Sequence, residues 1–229
     1  MQRIIGDGAR LDRRAVLGGL GAGLVASLVA GCASTGPFGM GAEPGPRIPD
    51  YYRQIYGQTV DNGFVIPAVD LTQVPEQFWR TEVADPTGEV PGTIVVATGL
   101  RYLYLVREGG RAIRYGVGIG RDGFTWAGDG YVGRKAPWPT WTPPRQMLAR
   151  QPETRQWAAG MPGGLDNPLG ARGLYIFSQG RDTIYRIHGT PESWSIGQAV
   201  SSGCVRLINQ DVIDLYARVP RGSRIVVRA

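Results

Sequence analysis

From residue 93 onward the chain is a series of short β-branched or alternating apolar runs, and this pattern constrains the fold more than any other feature. Runs of this length, bounded by Gly and Pro, are typical of β-strands joined by turns. Glycine (35) and proline (17) are abundant among the 229 residues, but they are interspersed with the apolar runs and do not form a low-complexity tract. We therefore predict one turn-rich, mostly β domain.

The clearest local element is a hairpin. Residues 101–106 and 112–117 alternate between polar or aromatic and aliphatic positions, and the segment between them contains Gly109 and Gly110. Adjacent glycines between two alternating runs favour a tight turn, so we expect the two runs to pair antiparallel.

Further strands are predicted at residues 173–177, 183–187 and 223–227. One convincing helix begins near Asn209, where the asparagine side chain is expected to cap the first turn and an apolar stripe follows. The helix should end before Pro220.

The N-terminus has the pattern of an export signal. Arg13 and Arg14 precede an uncharged stretch at 15–31, which is Gly-rich and short for a stable membrane-spanning helix. We predict a signal peptide at residues 1–31, and its paired arginines loosely resemble a twin-arginine signal.

The end of this stretch, Leu-Val-Ala-Gly-Cys at 28–32, resembles a bacterial lipobox, in which the thiol of Cys32 is lipidated. The alternative is an uncleaved membrane-anchoring N-terminus in which Cys32 is only a small apolar residue. Residues 32–50 lack periodicity and apolar content, which predicts a flexible tether. These features predict a protein of the periplasm or cell envelope that is lipid-anchored to a membrane.

Composition argues against several kinds of site. The formal charge of +6 comes from scattered arginines, which makes a nucleic-acid groove a poor interpretation. One histidine and two cysteines do not supply a metal ligand set at any recognised spacing, and no nucleotide-binding glycine motif opens a helix. We predict no metal, no cofactor and no nucleic-acid partner.

Nucleophilic chemistry is the remaining possibility, and it centres on Cys204 and His188. A cysteine attacks a carbonyl carbon as thiolate, so it needs a nearby base or cation, commonly an imidazole. His188 is the only histidine and lies at the end of the strand at 183–187, sixteen residues before Cys204. By themselves these two residues are better explained as a small buried cysteine and a structural histidine than as a catalytic pair.

The flanking residues favour catalysis. His-Gly-Thr at 188–190 followed by Ser-Ser-Gly-Cys-Val-Arg-Leu at 201–207 closely resembles the signature of the L,D-transpeptidase catalytic domain, the YkuD family. Blocks that resemble other parts of the family occur in the expected order at 92–96, 113–120, 138–144 and 167–170. The resemblance covers roughly residues 91–228, which makes 91–229 the expected catalytic domain and 51–90 an irregular N-terminal extension.

Membership of this family implies a mostly β fold, a β-sandwich or open barrel with one or two short helices. It also implies acyl transfer on peptidoglycan stem peptides, with attack on the position-three diamino acid and release of D-alanine. By position, Cys204 is the nucleophile and His188 the base, and the Gly189 carbonyl orients the imidazole. The backbone N–H groups of Gly203 and Cys204 would stabilise the oxyanion. Arg206 would bind a substrate carboxylate or brace the loop, and both roles remain open.

One position departs from the family pattern. Many members have a second histidine immediately before the Gly-Cys pair, and this chain has Ser202 there. A serine carries no positive charge and is no base at neutral pH, so we expect Ser202 to change hydrogen bonding in the substrate pocket. All general-base work then falls on His188.

Three functions are compatible with these residues. In the leading one, an amine resolves the thioester, which gives a 3→3 crosslink between stem peptides or attaches a wall protein, so the partners are stem peptides and in the second case an acceptor protein. The second is hydrolysis by the same pair, as in an L,D-carboxypeptidase. The third is a wall-binding lipoprotein with an inert cysteine.

Overall fold

The computed structural model describes residues 47–120, 127–201 and 203–228, the side chains of Gln146 and Ser201 excepted. The predicted signal peptide, the lipidation site Cys32, most of the tether and Ser202 lie outside the described residues. The strands within these ranges are β1 Thr59–Asp61, β2 Phe64–Ile66, β3 Thr81–Ala84, β4 Ile94–Ala97, β5 Tyr102–Arg107, β6 Arg111–Gly116, β7 Ile119–Gly120, β8 Gly128–Pro137, β9 Arg172–Ser178, β10 Arg181–Thr190, β11 Ala199–Ser201, β12 Val205–Ile208 and β13 Arg224–Arg228. The α-helices are α1 Asp50–Ile55, α2 Arg145–Arg150 and α3 Asn209–Arg218. In this part of the chain no helix has the length and apolarity needed to cross a bilayer.

Nine strands form one mixed sheet in the order β12-β10-β9-β8-β13-β4-β5-β6-β3. The pairs β10–β12 and β4–β13 are parallel and the other neighbours antiparallel. Two small sheets, β1–β2 and β7–β11, accompany it. The mostly β prediction is confirmed.

The large sheet curls toward closure. Gly118, just past β6, exchanges backbone hydrogen bonds with Arg206 on the edge strand β12, at N–O distances of 3.0 and 2.8 Å. A Cβ at position 118 would lie 2.7 Å from the Ser195 carbonyl oxygen, so this close approach requires glycine. The arrangement is the open barrel that the family resemblance implies.

The main core lies on the inner face of the curled sheet, against α3. This part of the core consists of fully buried aliphatic residues from β9, β10, β12 and α3: Leu174, Ile176, Ile187, Val205, Leu207, Val212 and Leu215. Because side chains alternate along a strand, the residues between these positions face the other way. We call the face of β8, β9, β10 and β12 that carries His188 the outer face.

The predicted hairpin is present. Strands β5 and β6 pair antiparallel up to Arg107 and Arg111, and the turn between them places Gly109 at φ 72° and Gly110 at φ 67°. Residues with side chains rarely adopt these left-handed conformations, which is why the glycine pair identified the turn from sequence.

The predicted helix begins at Asn209, but the predicted capping role of Asn209 is wrong. Ile208 occupies the N-cap position and no side chain caps the helix. The Asn209 Oδ1 atom instead accepts a hydrogen bond from the Ala171 N–H at 2.9 Å. A buried backbone donor on a neighbouring segment has displaced the local cap. Helices α1 and α2, six residues each, are too short to show a periodicity and were not predicted.

Residues 51–90, expected to be irregular, contain α1, two short strands and β3, which pairs with β6 at the edge of the large sheet. Apolar side chains of this segment pack with Ile196 and Ile208 into a second core: Tyr56, Leu71, Val74, Phe78 and Trp79. The described residues from 47 onward belong to one compact unit. Four-residue strands framed by prolines carry too little alternation to be recognised from sequence.

Candidate active site

The predicted catalytic residues lie on two neighbouring parallel strands. Strands β10 and β12 pair with His188 opposite Arg206, and Ile187 opposite Val205 on the inner face. Because side chains alternate along a strand, Arg186 and His188 lie on the outer face of β10. Cys204, just before β12, and Arg206, within β12, lie on the same outer face. The structure thus brings Cys204 and His188 together on one side of the sheet, with an arginine beside each.

His188 is held in one tautomer by its own backbone neighbour. Its ring is 5% exposed, and Nδ1 lies 2.6 Å from the Gly189 carbonyl oxygen. A carbonyl oxygen can only accept, so Nδ1 carries the proton and donates it. The other ring nitrogen, Nε2, is then left with its lone pair and can act as a base.

Gly189 is glycine for a steric reason. It points to the inner face, where a Cβ would lie 2.3 Å from Asn209 Oδ1 and 3.1 Å from the Ala171 nitrogen. Helix α3 therefore packs directly against the backbone of β10 at this point. The contact fixes the strand, and with it the carbonyl that orients His188.

Electrostatics keeps the imidazole neutral. Burial lowers the pKa of His188 to about 4, the Gly189 hydrogen bond opposes this effect, and the positive charges of Arg206 and Arg186 lower the pKa further. At neutral pH His188 is therefore a free base.

Cys204 is half buried and follows Gly203, whose φ of 125° is accessible to glycine and strained for other residues. Burial raises the pKa of the Cys204 thiol. The backbone N–H of Arg186, which donates to its sulfur, and the charges of Arg186 and Arg206 act in the opposite direction without reversing the shift. The resting pair is thus a neutral thiol and a neutral imidazole.

Arg206 makes a bracing contact. Its Nη1 atom lies 2.8 Å from Glu192 Oε2, and its backbone bonds Gly118. These contacts tie the loop after β10 to the edge of the sheet. The Glu192 carboxylate is 48% exposed at the side chain, so a substrate carboxylate has access to the same neighbourhood.

Sequence reasoning missed Arg186. Its guanidinium makes a bidentate ion pair with Asp182, at 2.6 and 2.8 Å, and lies 4.3 Å from the ring centre of Tyr175. A signal was available, because Arg186 precedes His188 by two residues in a predicted strand and must share its face. In the part of the chain that the structure describes, no group of three or more His, Cys, Asp or Glu side chains is placed to hold a metal ion.

Comparison with known proteins gives a consistent picture. The sequence model of the L,D-transpeptidase catalytic domain family (YkuD) matches residues 91–227. The probable L,D-transpeptidase YbiS of Escherichia coli K12 is 37% identical over 139 residues, which cover 58% of this chain and 43% of that protein. The probable L,D-transpeptidase ErfK/SrfK of the same strain is 36% identical over 143 residues, 59% of this chain and 43% of that one. The match spans less than half the length of these curated relatives.

A crystal structure from Brucella melitensis, named as a probable carnitine operon oxidoreductase, is 41% identical to this chain with a TM-score of 0.48. The aligned region covers 66% of this chain and 94% of the Brucella melitensis chain.

Proposed function

Because the chain belongs to the L,D-transpeptidase catalytic domain family, which its sequence matches over residues 91–227, we propose that it is a cysteine acyltransferase acting on peptidoglycan stem peptides. The observation that carries the proposal is the bond from His188 Nδ1 to the Gly189 carbonyl, which leaves Nε2 as a base on the face that Cys204 shares.

In the proposed reaction the Cys204 sulfur attacks the carbonyl carbon of the position-three diamino acid in a tetrapeptide stem. The bond to the terminal D-alanine breaks, and D-alanine leaves with the proton that His188 has taken from the thiol. An amine of a second stem peptide, or of a wall protein, then attacks the thioester and transfers its proton to His188. The sulfur leaves as thiolate and takes this proton back from His188, which restores the thiol, and one peptide bond has been exchanged for another.

The pKa directions favour general-base attack over a preformed ion pair. A thiol with a raised pKa beside an imidazole with a pKa of about 4 does not exchange its proton at rest. The proton moves only as the carbon–sulfur bond forms, when a rising positive charge on the thiol makes it acidic.

The other predicted residues have supporting roles in the proposal. Backbone N–H groups at Gly203 and Cys204 stabilise the oxyanion of the tetrahedral intermediate. Arg206 keeps the loop in place through Glu192 and adds positive charge near the substrate. Ser202 hydrogen-bonds the substrate where many family members have a histidine.

We also propose that the protein works in the cell envelope, anchored by a lipid on Cys32. The support is the sequence at 28–32 and the preceding uncharged stretch. A lipid anchor and a tether of about twenty residues would let the catalytic unit reach the wall.

The test is product analysis after incubation of the protein with disaccharide-tetrapeptide muropeptides. Wild-type protein should release D-alanine and form crosslinked dimers, or exchange D-amino acids, while a Cys204→Ala variant does neither. An Arg107→Gln variant, altered at an exposed position at the end of β5, serves as the matched control and should behave as wild type. If only shortened monomers form, the protein is a hydrolase and the transfer half of the proposal is wrong.

A further inference from the structure

A row of side chains crosses the outer face of the sheet next to Cys204. Arg186 on β10 is in register with Tyr175 on β9, and Tyr175 is in register with Arg134 on β8. Both guanidinium groups lie over the same ring, at 4.3 Å for Arg186 and 3.7 Å for Arg134. Tyr175 is 8% exposed, and its ring lies between the two cations, which come from the strands on either side of β9.

The charges in this row are not balanced. Arg186 has Asp182 as a bidentate partner. Burial tends to raise the pKa of Asp182, but the hydrogen bond from Arg186 and the charges of Arg186 and Arg134 lower it below the usual range, so it is ionised. Among the ion pairs of the described residues, none involves Arg134, which is exposed. Two arginines therefore share one carboxylate, and the surplus positive charge of Arg134 faces solvent on the same face of the sheet as the thiol.

The distance from the thiol suits a peptide substrate. Neighbouring strands are about 4.8 Å apart, so the Tyr175 ring lies roughly 10 Å from Cys204 across the sheet. An extended peptide covers this distance in about three residues. A stem peptide whose position-three carbonyl is at Cys204 carries free carboxylates within that reach, at position two and at the far end of the diamino acid.

We infer that Arg134 and Arg186, stacked on Tyr175, form a subsite for a carboxylate of the donor stem peptide. This inference rests on the proposed function. The planar guanidinium of Arg134 offers paired N–H donors that match a carboxylate, and Arg186 supplies the neighbouring charge while it stays bound to Asp182. Binding there fixes the donor peptide along the outer face, with its position-three carbonyl directed to Cys204.

A purely structural role for Arg134 makes a different prediction. If Arg134 only covers Tyr175, its loss weakens packing and slows every substrate by the same factor. If it binds a carboxylate, its loss slows only the substrates that carry that carboxylate. The comparison therefore needs substrates that differ in a single charge.

The experiment measures kcat/KM for D-alanine release from three synthetic stem tetrapeptides: the unmodified peptide, one amidated at the position-two carboxylate, and one amidated at the side-chain carboxylate of the diamino acid. Wild type, Arg134→Gln, Arg134→Lys and the control Arg107→Gln are compared. Arg134→Gln should lower kcat/KM for the unmodified peptide by about ten-fold, the order expected for one charge-assisted hydrogen bond at a partly exposed site. Arg134→Lys should recover part of the loss, because it keeps the charge without the planar fork.

The decisive result is loss of the effect on one amidated peptide. On that peptide, wild type and Arg134→Gln should have the same kcat/KM, and the peptide on which this happens identifies the carboxylate that is bound. Alkylation of Cys204 by iodoacetamide should proceed at the wild-type rate in Arg134→Gln, which shows that the nucleophile is intact.

Equal losses on all three peptides, or no loss on any, would overturn the inference while the proposed function stands. A wild-type protein that releases no D-alanine from any peptide would contradict the proposed function, and the subsite with it.

Discussion

At the scale of single residues, the Cys204–His188 pair is defined by what each side chain can do with a proton. His188 donates through Nδ1 to the Gly189 carbonyl and keeps Nε2 free of a proton. Its lowered pKa of about 4 removes competition from solvent protons at neutral pH. A base of this kind is weak, and it suits a reaction in which the proton is removed only during attack.

This pair predicts a pH profile. D-alanine release should be nearly constant through neutral pH and fall as the pH drops toward 4, because protonated His188 cannot accept the thiol proton. Alkylation of Cys204 by iodoacetamide needs thiolate, and since the thiol pKa is raised above its ordinary value of 9.0, its rate should keep rising through the alkaline range. Both are measured as initial rates across pH. A plateau of fast alkylation near pH 6–7 would instead reveal a thiolate–imidazolium pair.

The residues of the site differ in how far sequence could identify them. Cys204, His188 and Gly189 lie in the two segments of the family signature, 188–190 and 201–207, and Arg186 could have been predicted because strand alternation places it on the same face as His188. Arg134 could not have been predicted, because its position opposite Tyr175 depends on a register shift in β8 between Val132 and Arg134. A one-residue bulge changes which face of the sheet a side chain occupies, and the local sequence contains no signal that predicts the bulge.

At the scale of elements, the site depends on how α3 meets β10. Asn209, the first residue of the helix, accepts the Ala171 N–H at 2.9 Å and presses against Gly189. The same side chain therefore links the helix, the strand that carries His188 and the segment before β9. The sequence predicted the helix start but assigned Asn209 to the cap, because local capping preferences take no account of the Ala171 N–H donor 38 residues away.

The contact predicts that Asn209→Ala lowers both stability and activity. The substitution leaves the buried Ala171 N–H without its partner, which costs about 1–3 kcal/mol of unfolding free energy. It also loosens the backbone that orients His188, so kcat for D-alanine release should fall more than KM changes. Chemical unfolding and steady-state kinetics measure the two effects.

The matched control for this element is Gln156→Ala, at an exposed position after α2. It should change neither quantity. An Asn209→Ala variant with wild-type stability and kcat would show that α3 does not position the site.

At the scale of the whole molecule, side-chain contacts join residues 51–90 to the part of the chain that matches the family. Asp61 makes a bidentate pair with Arg172 at 2.7 and 2.6 Å and accepts from Trp138 Nε1 at 2.7 Å. Tyr56 reaches α3, where its hydroxyl donates to Asp211 Oδ2 at 3.1 Å. These partners are separated by 77 to 155 residues, so no local pattern could predict the pairs.

The contact between Tyr56 and Asp211 is part of a buried charge cluster. Asp211 is fully buried, and burial raises its pKa to about 7, with Arg80 and the Tyr56 hydroxyl opposing the shift. The Tyr56 oxygen also accepts the Arg80 N–H at 2.6 Å. One hydroxyl thus satisfies groups from the extension and from α3 at once.

Tyr56→Phe should therefore lower the unfolding free energy by roughly 1–3 kcal/mol, because it leaves a part-buried backbone N–H and a buried carboxylate each short of one partner. Tyr51→Phe, at a position that is 57% exposed, is the matched control and should leave stability unchanged. Urea unfolding monitored by tryptophan fluorescence compares them. Equal stability of the two variants would mean that the extension contributes little to the fold.

The central claim is that Cys204 is acylated by a stem peptide, with His188 as the only base. Intact-mass measurement of the protein after incubation with a stem tetrapeptide tests it directly, with wild type, Cys204→Ala and His188→Gln compared. Wild type should gain the mass of the tripeptide acyl group on Cys204, Cys204→Ala should gain nothing, and His188→Gln should be acylated about 10²–10⁴-fold more slowly. Acylation of His188→Gln at a near wild-type rate, or of Cys204→Ala at all, would contradict the account.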